Sequence, residues 1–379
     1  MNKVTKRSDL ICYIAMASLG LYLAAYQYAV TDITTEFSLQ GWATGLVVAC
    51  HFAASFFLPP IAGELADRFG RKPVLCGAFI LMAAGMLCSA LSSSIWLLMA
   101  GAMIAGGGSC TIESSMSSLL SQTNPEQETR VMNLSQMAFC AGAIISPIYG
   151  SLLQSFGLDW RIIYLTGVAV VLITGAFVMR MQLPPAPPSQ KGLYLRQVLK
   201  NPYFVFLLIC MLIYVGIEES AGFWAGSYVE KGLGGIVSKS WLLVMYWLGM
   251  CVGRLAASAI TKRLGIITII GLAVCAVFLV LTLVWPTPVW LCIAFLGAGL
   301  GIAPAWPLIM ANATVCSTEF PDTSAGAIMS AGCAGGMLLP TILGVVETAA
   351  GMRTAFAVLT GIVFLFCALL ASSKNFRKS

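Results

Sequence analysis

With 59% hydrophobic residues, only 9% charged ones and a mean hydropathy of +0.90 over 379 positions, the chain is too apolar for a water-soluble globular domain. Its net charge of +6 sits in short clusters between long apolar runs, and no basic patch interleaved with aromatics is present, which excludes a nucleic-acid surface. The solvent expected around most of the protein is a lipid bilayer.

About twelve apolar stretches are long enough to cross a bilayer at ~1.5 Å per residue. They fall near 10–31, 41–62, 73–92, 95–122, 129–155, 160–180, 202–229, 237–260, 265–285, 288–316, 322–349 and 353–372. The runs are continuous and rich in Leu, Ala and Gly rather than alternating, so helices satisfy the backbone and a β-barrel is not expected. The first stretch follows Lys3, Lys6 and Arg7 and is long enough to read as a retained helix, not a cleaved signal.

Between the second and third stretches lies GELADRFGRK, Gly63 to Lys72, a dense charge cluster that fits a tight turn at a membrane surface. The longest polar connector, Met181 to Asn201, opens with a Pro cluster that stiffens it. It divides the chain into 1–180, 181–201 and 202–379. The positive-inside rule places both termini in the cytoplasm. Arg161, Lys231, Lys239 and Arg353 then fall outside, Arg254 lies within a span, and every other member of the 21 Lys and Arg is inside. A multi-pass protein of the plasma (inner) membrane is expected. The 13 cysteines are scattered through apolar spans without a Cys-x-x-Cys pair and read as small hydrophobes. Neither a metal set, a cofactor loop nor a nucleophile triad is visible, so no catalytic residue, metal or cofactor is implied and an enzyme is not expected.

The two halves repeat. A shift of 193 lays Cys140-Ala141-Gly142 and Pro147 on Cys333-Ala334-Gly335 and Pro340, and Gly106 and Gly108 on Gly299 and Gly301. Parallel repeats of this kind lead to two six-helix bundles that rock about a central cavity.

Ionisable groups within spans are costly unless they face a cavity or a partner, which makes Glu113, Glu218, Glu219, Arg254, His51 and Glu347 the candidates for chemistry. Glu113 follows three glycines and has Trp306, not an acid, as its repeat mate. It is read as a site for a proton or substrate, with a structural hydrogen bond as the alternative. Glu218 shares a helix face with Tyr214 and is assigned to the cavity, while Glu219 is turned roughly 100° away, toward a neighbouring helix. Arg254 needs a counter-charge that Glu218 or Glu219 can supply. His51 reads as neutral packing more readily than as a proton relay. Tyr22, Tyr26, Gln27, Asn133, Gln136, Trp224, Tyr246, Trp306 and Asn312 supply hydrogen-bonding and aromatic surface for the rest of a site, with helix packing as the competing explanation.

Gly63-x-x-x-Asp67-Arg68-x-Gly70-Arg71-Lys72 resembles in full the loop signature of the major facilitator superfamily. The resemblance implies an all-α membrane protein of about twelve transmembrane helices in two pseudo-symmetric six-helix bundles, with this loop as a conformational latch. In that reading Gly63 permits close packing, Asp67 faces a helix N-terminus, and Arg68, Arg71 and Lys72 reach phosphates and carbonyls at the inner surface. Within the superfamily, Tyr214, Gly216, Glu218, Trp224 and Tyr228, then Gly253-Arg254 after Trp-x-Gly-Met, and Asn133 and Gln136 in RVMNLSQ, are similar to the fucose-permease-like (fucose:proton symporter) branch. That branch pairs an acid of the first helix with a Glu of the fourth; here Glu113 is present and Gln27 stands near the other position.

The resemblance implies a secondary transporter whose partners are a small solute, protons and the bilayer, working as a monomer. Three functions stay open: proton-coupled uptake of a sugar or similar polar metabolite, proton-coupled efflux of drugs or metabolites, and a non-transporting sensor. Glu113, Asn133, Gln136 and the likeness to the fucose-permease-like branch favour the first; Gly142-x-x-x-Ser146-Pro147-x-x-Gly150-Ser151, only loosely similar to the fifth-helix pattern of antiporters, is the argument for the second, and the sensor is the least expected of the three.

Overall fold

The computed structural model describes residues 3–181, 183, 194–260, 263–316 and 320–378. Most of the Pro-rich connector, with Lys191, and also Lys262 lie outside the described residues. Among those described there are no strands, and 12 helices are long and apolar enough to cross a membrane. We number them α1 (Lys3–Glu36), α2 (Gly41–Phe69), α3 (Arg71–Ala90), α4 (Ile95–Thr123), α5 (Glu128–Ser155), α6 (Arg161–Met179), α7 (Pro202–Ser227), α8 (Lys239–Ser258), α9 (Leu264–Val284), α10 (Pro288–Val315, interrupted at Ala303 and Pro304), α11 (Pro321–Ala350) and α12 (Met352–Ser372). The first helix runs beyond the expected apolar stretch at both ends.

Alternation of direction puts both termini and the α2–α3 and α10–α11 connections at one end of the bundle, called here the termini end. The α1–α2, α7–α8 and α11–α12 connections lie at the far end. Helices α6, α9 and α12 bury only 39% of their most apolar window, against 61–67% for α1, α4, α5, α7, α8, α10 and α11. The first group therefore sits on the outside, where apolar side chains such as Ile173, Phe177, Ile270 and Leu365 are left exposed to lipid.

The two halves of the chain meet along two antiparallel helix pairs. In α2 and α11 the backbones approach so closely that a Cβ on Gly63 would lie 2.5 Å from the Asp322 carbonyl oxygen, one on Gly326 2.5 Å from that of Pro59, and one on Gly344 2.6 Å from that of Gly41. Small residues of this kind are what helix contact in lipid requires, because no hydrophobic force drives it there. The second pair is α5 and α8, joined by Ser151 to Ser240 at 2.6 Å and by Phe139 against Trp247.

Two prolines, one in α2 and one in α10, open backbone acceptors that find a donor on another helix. Pro60 has no N–H for the carbonyl of Phe56, which instead accepts the Ser330 hydroxyl of α11. Pro307 likewise leaves the Ala303 carbonyl free at the interruption of α10, and Arg254 Nε approaches it at 3.5 Å.

Candidate functional site

Halfway along the bundle the innermost helices converge on a cavity of about 40 Å³. That is room for only two or three water molecules. His51 and Phe52 of α2, Glu113 of α4, Gln136 and Phe139 of α5, Glu218 and Glu219 of α7, Trp247 of α8, Trp306 of α10 and Cys333 of α11 all reach it.

Its polar groups form two short networks. Arg254 is 1% exposed and donates to Glu218 Oε1 at 2.9 Å and to the Tyr214 hydroxyl at 3.2 Å. The same guanidinium crosses to the first half of the chain, giving hydrogen bonds to the Gln136 carbonyl at 3.2 Å and the Cys140 sulfur at 2.9 Å. Gln136 Nε2 in turn donates to Glu113 at 2.9 Å. In the second network Gln27 Nε2 donates to Glu219 at 3.1 Å while its Oε1 accepts from Trp247 Nε1 at 3.0 Å. Gln27 is therefore a bridge between the halves at the position where the sequence comparison leads one to look for an acid. His51 faces the Tyr22 hydroxyl at 3.0 Å and packs edge-on to Phe52. One guanidinium thus stands among three carboxylates and pairs with only one of them. Among the described residues Glu218 is ion-paired, while Glu113 and Glu219 have amide partners and no cation.

Other expected site residues lie elsewhere. The Tyr26 hydroxyl is spent on the Val47 carbonyl at 2.6 Å, and the Trp224 indole on that of Pro340 at 3.1 Å, so both fasten helices. Asn133 is fully buried in α5, donating to Thr129 at 2.8 Å with its Oδ1 unpartnered. Asn312 lines a separate cleft of about 490 Å³ at the termini end, together with Glu128, Arg130 and Ile260.

The GELADRFGRK cluster closes the termini end. Helix α11 begins at Pro321 without a side-chain cap of its own, and Asp67 of α2 takes that role from the other half. Its Oδ2 accepts from the Thr323 N–H at 3.0 Å and the Thr323 hydroxyl at 2.8 Å. A carboxylate at a helix N-terminus is stabilised by both the free N–H groups and the dipole. Gly70 turns the chain at φ +90°, and Arg71, the first residue of α3, is 5% exposed. The sequence reading sends Arg71 to the membrane surface with Arg68 and Lys72. The structure turns it inward instead, because Asp322 offers a two-point partner, Nε to Oδ1 at 3.0 Å and Nη2 to Oδ2 at 2.6 Å, with Ser118 accepting at 3.1 Å. Arg68 pairs with Glu64 one turn earlier, and Lys72 is exposed.

The far end is closed as well. Lys239 of α8 donates to Asp32 of α1 at 2.8 Å and lies 4.7 Å from the centre of the Tyr28 ring. Thr341 of α11 donates to the Gly45 carbonyl at 3.2 Å, and Trp42 N–H reaches Thr348 at 3.2 Å. The arrangement is occluded. Asp322, Thr323 and Lys239 thus make closing contacts, and Trp247 a cavity contact, that sequence reasoning did not select; the Pro-Asp-Thr start of α11 was the visible signal for the first two.

A helical bundle with a midplane acid–arginine cavity, sealed at both ends between two halves, is the architecture of a solute carrier. The profile of the Major Facilitator Superfamily matches residues 10–340, and the chain belongs to that superfamily of membrane transporters, not to an enzyme family. Multidrug resistance protein MdtH of Aeromonas salmonicida (strain A449) is 29% identical over 214 residues, 54% of this chain and 53% of that protein. Human protein spinster homolog 1 is 24% identical over 239 residues, 58% of this chain and 45% of that one. The chain therefore spans about half the length of the curated relatives it matches. Among solved structures, the human organic anion transporter MFSD10 (TETRAN) superposes with a TM-score of 0.73 at 16% identity, covering 97% of this chain and 100% of the other. The transporter FucP in its outward conformation gives 0.69 at 18%, over 97% and 100%. These two likenesses concern the fold.

Proposed function

We propose that the protein is a proton-coupled secondary active transporter that exchanges protons for a small amphipathic solute carrying a positive charge or an amine. Residues 1–180 and 202–379 would rock as units, linked by 181–201, and open the central cavity to either side in turn. The observation that carries this reading is the pair Glu113 and Glu219, two acids without a cationic partner among the described residues, beside Phe52, Phe139, Trp247 and Trp306. In a site poor in water, a carboxyl group without a cation is satisfied either by a proton or by a positive solute. The two compete for the same oxygens, so loading one expels the other, which is exchange. Aromatic faces accept the apolar body and favour positive charge.

The name of the MdtH relatives, multidrug resistance proteins, supports efflux, as does the Gly and Pro pattern of α5. Uptake of a neutral sugar by symport, supported by the likeness to the fucose:proton symporter branch, is the second reading. Such a solute needs free amides, whereas Gln27 and Gln136 are each bonded to an acid. The chain is taken to act as a monomer, since each copy carries its own cavity, in the inner membrane with both termini cytoplasmic.

The test uses purified protein in proteoliposomes with an internal pH dye. Proton movement opposite to a lipophilic cation such as tetraphenylphosphonium is expected; proton movement together with an added sugar would replace exchange by symport. Glu113→Gln is expected to lower uphill accumulation roughly tenfold or more, about 1.4 kcal/mol of coupling, while counterflow of labelled solute persists. Accumulation at the wild-type level with unaltered pH dependence would remove Glu113 from coupling and leave Glu219 or Glu218 as the proton site.

A further inference from the structure

Cys110 of α4 and Cys333 of α11 belong to different halves of the chain, yet their sulfurs stand 3.5 Å apart, and both side chains line the central cavity. They are 4% and 2% exposed. The internal repeat accounts for only one of the two: at a shift of 193 the mate of Cys110 is Ala303, whereas that of Cys333 is Cys140, whose sulfur is used by Arg254.

We propose that Cys110 and Cys333 form a site for a soft, two-coordinate metal cation of the Cu(I), Ag(I) or Hg(II) kind, and that filling it clamps the two halves in the occluded arrangement. Thiolate ligands select soft cations. Zinc asks for four ligands, and no group of three or more His, Cys, Asp or Glu able to hold a metal occurs among the described residues, so a pair of sulfurs suits an ion content with two. With ~2.3 Å for each metal–sulfur bond, a linear arrangement separates the sulfurs by about 4.6 Å, about 1 Å more than observed, a shift that side-chain rotation supplies.

Binding exchanges two S–H bonds for two sulfur–metal bonds and releases two protons. Cavity water and the carboxylates of Glu113 and Glu219, which line the same space, receive them, and no oxidant is needed. Because the ligands come one from each half, the ion acts across the moving interface: opening either end strains it, and closure brings the sulfurs together.

The experiment loads full-length purified protein with one equivalent of mercuric chloride and reads the mercury coordination by X-ray absorption. Two sulfur neighbours are expected in the wild type and one in Cys110→Ser and in Cys333→Ser, because a two-point site outcompetes the isolated thiols for the first equivalent. In proteoliposomes, mercuric chloride at stoichiometric amounts is expected to slow exchange strongly. Each single variant, measured against its own untreated rate, should lose as much sensitivity as the double variant. A single sulfur neighbour in the wild type overturns the proposal, and so do single variants as sensitive as wild type. Should the serine variants not fold, the wild-type coordination number decides alone; it needs no transported solute and is independent of the exchange reading.

Discussion

At the termini end, Arg71 and Asp322 are 5% and 3% exposed, and the carboxylate of Asp67, 2% exposed, caps a helix of the opposite half. At the far end, Lys239 at 8% meets an Asp32 side chain that is 31% exposed, helped by the Ser151–Ser240 hydroxyl pair and the face of Tyr28. Both ends close the same interface, but one does so with dry, two-point ionic geometry and the other with a single, wetter ion pair backed by neutral hydrogen bonds. In low dielectric a matched ion pair is held mainly by the cost of leaving either partner alone, whereas a partly hydrated pair has water as a ready substitute. The far end is therefore the cheaper one to open, and the first excursion from the occluded arrangement is expected there.

The comparison breaks most visibly at Arg71. Asp322→Asn strands a buried guanidinium and is expected to cost about 3–5 kcal/mol, read as a large loss of thermal stability and a shift toward a termini-end-open population in double electron resonance distances. Arg71→Met with Asp322→Leu, which removes both charges, should recover most of that stability. If the single variant is as stable as wild type, the dry seal is not what holds this end. A smaller effect is expected from Asp67→Asn, which keeps the shape but weakens the cap of α11. About 1–2 kcal/mol, a five- to thirty-fold change in the ratio of the two ends' open states, should appear in the same distances, with expression near normal. The smallest belongs to Lys239→Ala. A loss of about 0.2–1 kcal/mol at the far end should give at most a few-fold rise in far-end-open molecules, and high salt should mimic it in the wild type. A Lys239 effect as large as that at Asp322 would erase the asymmetry.

The sequence shows the helices and the termini-end cluster clearly, because long apolar runs and a Gly-Asp-Arg-Gly-Arg turn are local patterns. It also brings Arg254 to an acid of α7, since a charge inside a span demands a partner. What it hides depends on contacts across the two halves. Thr323 is separated from Asp67 by 256 positions and Gln27 from Glu219 by 192, and no local pattern encodes those meetings. Tyr26 and Trp224 are the converse case: their composition suits a cavity, yet both are consumed in fastening helices to one another. Lys239, read from the sequence as a topology marker, turns out to be a strut between α8 and α1.

The carbonyl of Phe56 has a consequence for how the pathway wets. It is freed by Pro60 and held by the Ser330 hydroxyl, so it is satisfied only while α2 and α11 stay in contact. When they part, an acceptor in the middle of a membrane-spanning helix loses its donor, and only a water molecule can replace it. Separation of this seam and hydration of the helix interior must then be one event: the proline makes the opening step a point at which water is drawn between the halves ahead of any solute.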